Sequence, residues 1–226
     1  IDLAVEARHF PGAVGYNIVG YLAGSDPKLA RECIVLGAHF DGCGRHLGIL
    51  FPGADDNASG SAVVMEVARA FAVSGLRPGR TLAFVLFGGE EMGLLGSSHF
   101  AANVPAPLHK IRAMFNFDME GEGDRAFATF SPEPAALRQA IAAADSRVGS
   151  LAGTREIKEV GVRSSDFAPF FLRGIPCAAF YSNGPHLAYH QAGDSIFRIN
   201  PDILGAISRL ALLSAWLLDA GPAPAI

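Results

Sequence analysis

The run RTLAFVLFGG, residues 80–89, is apolar at almost every position. A strand with one face in water alternates apolar and polar side chains, so an unbroken apolar strand has to be covered on both faces, as the central strands of layered α/β domains are. The rest of the chain supplies what such a strand needs around it. YNIVGYLAG (16–24) and CIVLGAHF (33–40) are β-branched apolar runs cut by Gly, Ser, Asp and Pro, and they read as adjacent strands. IRAMFNFDME (111–120), AFATFS (126–131) and GIPCAAFYS (174–182) read as three more. Helical patterns lie between them. NASGSAVVMEVARAFAVSG (57–75) sets Val63, Val67, Ala70 and Phe71 at helical spacing with Gly75 as a stop, and a short helix is expected from Leu94 to Asn103. EPAALRQAIAAAD (133–145) is an alanine-rich helix after Pro132, and PDILGAISRLALLSAWLLDA (201–220) is a closing helix with Pro in its first turn. Strand and helix in alternation predict a three-layer α/β/α fold around a central mixed, mostly parallel sheet.

At 226 residues, with half of them hydrophobic and 18% charged, the chain suits one domain over 1–226 with a core of its own. The net charge is −4 and no Lys/Arg block occurs, which removes the electrostatic footprint of a nucleic-acid or anionic-lipid binder and leaves a small molecule or peptide as the expected partner. No uninterrupted apolar stretch reaches the roughly 18 residues of a membrane span. The chain begins at Ile1 without an initiating Met or a signal segment, which reads as a processed or excised chain, and the terminal GPAPAI reads as a frayed end. Cys33, Cys43 and Cys177 form no CxxC pair; they read as two buried thiols and a loop thiol, with a Cys33–Cys177 bridge as the alternative.

In open α/β sheets functional groups gather where strands end. Those ends hold His39 and Asp41 after the second strand, Asp55 and Asp56 before the first helix, Glu90 and Glu91 after the third strand, Asp118 and Glu120 at the end of the fourth, and His190 and Asp194 after the last. Singly, each is more simply a cap, a turn former or a solvated carboxylate. Together, histidines and carboxylates at one rim are the donor set of a pair of divalent metals, which a bridging carboxylate holds about 3.5–4 Å apart. His39-Phe40-Asp41 also has the spacing by which a carboxylate receives the ring N–H of a metal-bound histidine. Consecutive side chains leave the backbone in different directions, so Glu91 can bind a metal while Glu90 faces the space above it as a general base, and Gly88 and Gly89 allow the backbone to come close.

With GAHFDG, PGADDNASG, FGGEEMGLLGS, FNFDMEG, SSDFAPFFLRGIP and HLAYHQAGDS in this order across nearly the whole length, the chain resembles the M28 family of zinc aminopeptidases, whose fold is phosphorylase/hydrolase-like. The resemblance implies two zinc ions, one held by His39 and Asp118, the other by Glu91 and His190, with Asp56 as the bridge. It makes Glu90 the base and acid for a metal-bridging hydroxide, Asp41 and Asp194 supporting partners of the metal ligands, and Tyr189 the group that steadies the oxyanion, the plainer reading of Tyr189 being a packed structural tyrosine. It also implies a cis peptide between Asp56 and Asn57, substrates with a free N-terminus, and a secreted or periplasmic location.

Two departures stand out. Ser165-Asp166-Phe167 replaces the family's usual Ser-Asp-His, and Glu120 takes the place of an aliphatic residue. Glu120 reads either as added negative field for a substrate amine or as a solvated loop carboxylate. The phenylalanines of SDFAPFF suggest a preference for apolar side chains, and Arg45 and Arg163 are the few nearby cations that could grip a substrate carboxylate. The alternatives are a carboxypeptidase or glutaminyl cyclase on the same fold, or a non-catalytic domain, which would be expected to have lost a ligand or the base. The residues leave the oligomeric state open.

Overall fold

The computed structural model describes residues 10, 12–106, 108, 110–132, 134–157 and 163–220. In chain order these form β1 (Ile18–Leu22), β2 (Glu32–His39), a hairpin of β3 (Gly44–His46) and β4 (Ile49–Phe51), and an irregular turn over Ala54–Ser59 that leads into α1 (Gly60–Ser74). There follow β5 (Thr81–Phe87), α2 (Leu95–Ala102), β6 (Lys110–Phe117), β7 (Ala126–Phe130), α3 (Ala135–Val148), β8 (Leu151–Glu156), the short α4 (Ala168–Phe171), β9 (Cys177–Ser182) and α5 (Pro201–Ala220).

The apolar run at 80–89 is an inner strand, as its composition requires. Seven strands form one sheet in the order β1-β5-β2-β6-β9-β7-β8. The pairs from β5 through β9 run parallel, as do β7 and β8, while β1 and β5, and β7 and β9, are antiparallel. Alternation along β2 sends Ile34 and Leu36 to one face and Cys33 and Val35 to the other. Over the first face lie Val63, Val67 and Phe71 of α1, Ile141 of α3 and Leu210 of α5; over the second lie Phe100 of α2 and Phe170 of α4. Each such side chain, fully buried, contributes about 1.5–3 kcal/mol. The result is three layers, α/β/α.

β1 and β2 are not adjacent: β5 lies between them. The side chains explain the exchange, because β1 leaves Ile18 54% and Tyr21 55% exposed and suits an edge, whereas β5 is apolar on both faces and belongs inside. β8 and the β3/β4 hairpin were not expected: LAGTRE and GRH carry no apolar run, and the ILF of β4 is only three residues long. The helix read from 57 starts at Gly60, since Ala54–Ser59 is occupied by the irregular turn, and α3 runs on to Val148, where Gly149 caps it at φ 70°. Cys33 and Cys177 are free buried thiols, not a bridge. The expected frayed end at 221–226 lies outside the described residues. α5 is long and apolar enough to cross a membrane by length and mean hydropathy, despite lacking an uninterrupted apolar run, and it buries Ile203, Ile207, Leu210, Ala211 and Ala215 against the sheet and its neighbouring helices.

The far end of α5 is tied back to the start of two central strands. Asp219 accepts the backbone N–H groups of Gly79 and Arg80, each at 2.7 Å, and the Arg80 guanidinium bonds both the Asp219 carbonyl and the Glu32 carboxylate. Replacement by alanine strands two donors in a site that is 7% exposed. Asp219→Ala is therefore expected to lower stability by about 2–4 kcal/mol in a denaturant titration, the range for leaving buried partners of a charged group unmade; a loss below about 0.5 kcal/mol would show that the clamp does not hold the layers together.

Candidate metal centre

Because β2, β5, β6 and β9 are parallel, their C-terminal ends reach one rim of the sheet, and the polar residues that follow them converge there. His39 is the last residue of β2 and is 1% exposed. Its Nδ1 faces the Asp41 backbone carbonyl at 3.2 Å and the Asp41 carboxylate at 3.6 Å. The same carboxylate has a further task, accepting the N–H of Glu90 at 3.1 Å and of Glu91 at 3.2 Å. Thus one residue at the end of β2 orients the ring and holds the pair of glutamates after β5. The glycines before that pair are needed for space: a Cβ on Gly88 would meet the Tyr16 carbonyl at 2.5 Å, and Gly89 has φ 70°.

Asp56 stands at the centre. The Asp194 carboxylate pins its chain by accepting the N–H groups of Asp55 at 2.8 Å and Asp56 at 3.0 Å, and the Asp56–Asn57 peptide is cis. Asn57 locks the next turn, donating to the Phe117 carbonyl and accepting from the N–H of Gly60. So held, Asp56 points Oδ1 to His39 Nε2 at 3.2 Å and Oδ2 to His190 Nε2 at 3.0 Å. Each of those nitrogens faces a second carboxylate, His39 Nε2 that of Asp118 at 3.4 Å and His190 Nε2 that of Glu91 at 3.0 Å. Glu90 Oε2 lies 4.0 Å from His39 Nε2. The five residues expected to ligate metal are thereby together, in two halves that share Asp56.

The arrangement fits cations. Asp118 Oδ2 is bonded by the Ser165 hydroxyl at 2.6 Å, itself oriented by Asn116, while the buried Oδ1 makes no well-directed hydrogen bond and faces His39 Nε2 at 3.4 Å. Three clusters of donor atoms, each within 4.8 Å, recur around the same point: His39 with Glu90 and Asp118, His39 with Asp56 and Glu91, and Cys43 with Glu91 and His190. Electrostatics say the same. Burial pulls the His39 pKa down, but its bonds to Asp118, Asp41 and Asp56 outweigh this and lift it well above the ordinary range. Burial raises Glu90 to about 8, with His39 opposing and Asp118, Asp166 and Glu91 adding to the rise, and Glu91 is raised by burial and by Asp56. Crowding and burial disfavour the charged form of such carboxylates, and a nearby positive charge favours it.

The other residues singled out in the sequence fall as follows. Tyr189 is 50% exposed and stacks on the His190 ring with centroids 3.8 Å apart, so it is not packed beneath the loop. Glu120 is fully buried, follows rather than ends β6, and is raised well above the usual carboxylate range by burial and by Asp118, so it is neither solvated nor part of an open field. Phe167 and Phe170 are turned into the core, which removes them as the lining of a substrate pocket. Arg45 donates to the Gly48 carbonyl of its own hairpin. The pairing of His186 Nδ1 with Asp55 Oδ2 at 2.6 Å was not foreseen; it ties the last loop to the turn before α1, and only Asp55 beside Asp56 hinted at it.

The sequence profile of peptidase family M28 matches residues 17–215. The chain is 32% identical to leupeptin-inactivating enzyme 1 of Streptomyces exfoliatus, over 94% of this chain and 51% of that protein, and 30% identical to an aminopeptidase of Pseudomonas aeruginosa, over 89% and 41%. Among solved structures, BSAP, a zinc aminopeptidase from Bacillus subtilis, superposes with a TM-score of 0.73 at 26% identity, covering 88% of this chain and 49% of that one. The chain thus spans about half the length of the curated relatives it matches. With a profile match over most of its length and the convergent histidines and carboxylates of its rim, the chain belongs to peptidase family M28.

Proposed function

We propose that the chain carries the catalytic centre of a dizinc aminopeptidase that releases N-terminal residues from peptides. The observation that carries this reading is the pose of Asp56, one carboxylate oxygen toward each of the two histidines. His39, Asp118 and Asp56 would hold one zinc and Glu91, His190 and Asp56 the other, nitrogen and carboxylate donors that suit the ion. When bound, the pair of ions activates water at neutral pH and polarises the carbonyl under attack. The names of the relatives, aminopeptidases and a zinc aminopeptidase, agree with this.

Around the ions, Glu90 takes a proton from the attacking water on a carboxylate oxygen and returns it to the leaving amine nitrogen. Asp41 fixes where that carboxylate sits by holding the Glu90 and Glu91 N–H groups. Tyr189 keeps its proton, its pKa pushed up to about 12 by burial and then by Asp56 and Glu91, and its hydroxyl donates to the carbonyl oxygen as charge develops there. The surplus of carboxylates favours a cationic α-amine on the substrate. A C-terminal carboxylate would instead need a dedicated cation, and the Arg45 guanidinium is engaged in its hairpin. Glutaminyl cyclisation needs one metal, whereas both halves are assembled around Asp56; the base and every expected ligand are kept, which disfavours a non-catalytic domain.

Glu90→Gln preserves shape but cannot accept the proton, so kcat should fall by about 10²–10⁴ while elemental analysis still finds both zinc ions; loss of an ion from this variant would make Glu90 a ligand and not the base. The end of the peptide that is read is tested by mass spectrometry on matched peptides. The free and C-terminally amidated forms should lose residues from the N-terminus, and the N-acetylated form should be spared, since acetylation removes both the lone pair and the charge of the amine. Comparable cleavage of the acetylated peptide would overturn the aminopeptidase reading and leave the metal centre standing.

A further inference from the structure

The two halves of the centre are unequally built. The His39 ring is buried and its Nε2 faces the carboxylates of Asp56, Asp118 and Glu90, whereas the side chain of His190 is 39% exposed and its Nε2 faces those of Asp56 and Glu91. On the open side of this second half stands Cys43. Its Sγ lies 3.8 Å from Glu91 Oε1, and the sulfur, a Glu91 oxygen and a His190 nitrogen all fall within 4.8 Å of one another. Cys43 also lines the same small cavity as Asp56 and His190. Tetrahedral zinc with a Zn–S bond of about 2.3 Å and Zn–O or Zn–N bonds of about 2.0–2.1 Å sets its donors roughly 3.3–3.6 Å apart, so Cys43 and Glu91 are near that spacing at 3.8 Å and the set as a whole closes by shifts of up to about an ångström.

The placement is fixed by local structure. Cys43 directly precedes the β3/β4 hairpin, whose two-residue turn at Leu47 and Gly48, with φ 49° and 82°, matches strand twist and leaves little freedom of register. The hairpin leaves the chain after Asp41 and returns it before Asp56, so the thiol is held between two strand-end elements of the centre. Cys33 and Cys177, by contrast, are fully buried in the apolar core beneath the sheet.

We propose that Cys43 is a fourth protein donor to the Glu91/His190 half of the centre, biasing that half toward thiophilic ions such as zinc, cobalt and cadmium over manganese and magnesium. The inference rests on the dizinc reading of the site. On ligation the S–H proton passes to solvent and the sulfur lone pair forms the bond to the ion; no electron is transferred. Soft thiolate donors select ions in this way, while carboxylate and water suit manganese and magnesium.

The test is optical and does not depend on turnover. Protein loaded with Co²⁺ should show, beside the visible d–d bands of the bound ion, a near-ultraviolet thiolate-to-cobalt charge-transfer band. Cys43→Ser should lose that band and keep the d–d bands. The preference for Cd²⁺ over Mn²⁺ in competition titrations should fall in the variant by about 10–100-fold, the range over which supporting groups tune metal sites. Cobalt d–d bands without charge transfer in the unaltered protein would overturn this inference alone. A charge-transfer band that survives in Cys43→Ser would overturn it as well, whereas failure to bind cobalt at all would overturn the metal reading of the site and the inference with it.

Discussion

Asp56 presents both carboxylate oxygens at once, one to each histidine, and much of the rim exists to hold it in that pose. A free aspartate at the start of a helix would turn one oxygen back to cap the backbone. Here that demand is met from outside: Asp194, far along the chain, accepts the N–H groups of Asp55 and Asp56, and Asn57 serves the N–H of Gly60. Asp56 is therefore released from capping. Gly60 completes the arrangement, because a Cβ there would strike the Phe117 carbonyl at 2.3 Å, so α1 and the end of β6 close on each other and bring Asp118 within reach of His39.

The same economy explains the supporting carboxylates. Asp41 and Asp194 each spend their oxygens on two successive backbone N–H groups, which neutralises neither but satisfies both and fixes the loop that carries a neighbouring acid. What is left over, on Asp56, Asp118, Glu90 and Glu91, is negative charge with few donors to balance it, and the buried Asp118 Oδ1 has only His39 Nε2, at 3.4 Å, facing it in an ion-pair pose. Buried charge is costly unless it is paired or coordinates metal. The crowding shows in two neighbours: bonds to Asp118, Asp41 and Asp56 outweigh burial and hold His39 well above the ordinary histidine range, and burial lifts Glu90 to about 8. On the proposed reading, two bound cations balance this charge.

The order of layers and the rim of functional groups were legible because both are written in local composition: a doubly covered strand such as β5 announces itself in an unbroken apolar run, and strand-end acids and histidines stand out against it. What was not legible depends on distant partners. Nothing near Asp194 reveals that it clamps a turn about 140 residues earlier, and Ser165 reads as a loop serine until β6 places Asn116 and Asp118 beside it. Spatial order differs at β1, where propensity marks a strand but not its neighbour, and the phenylalanines of SDFAPFF suggest an apolar substrate preference although the fold turns Phe167 and Phe170 into the core. Cys43, between two readable motifs, carries no signal of its own; only the hairpin that follows it sets the thiol against Glu91.

The central claim is that Asp56 bridges two metal ions. Crystals of the zinc-loaded protein, with diffraction recorded above and below the zinc absorption edge, test it most directly. Two anomalous peaks are expected about 3.5–4 Å apart, one beside His39 and Asp118 and the other beside Glu91 and His190, with an Asp56 oxygen on each. A single peak at full zinc loading, or a second peak out of reach of Asp56, would contradict the account.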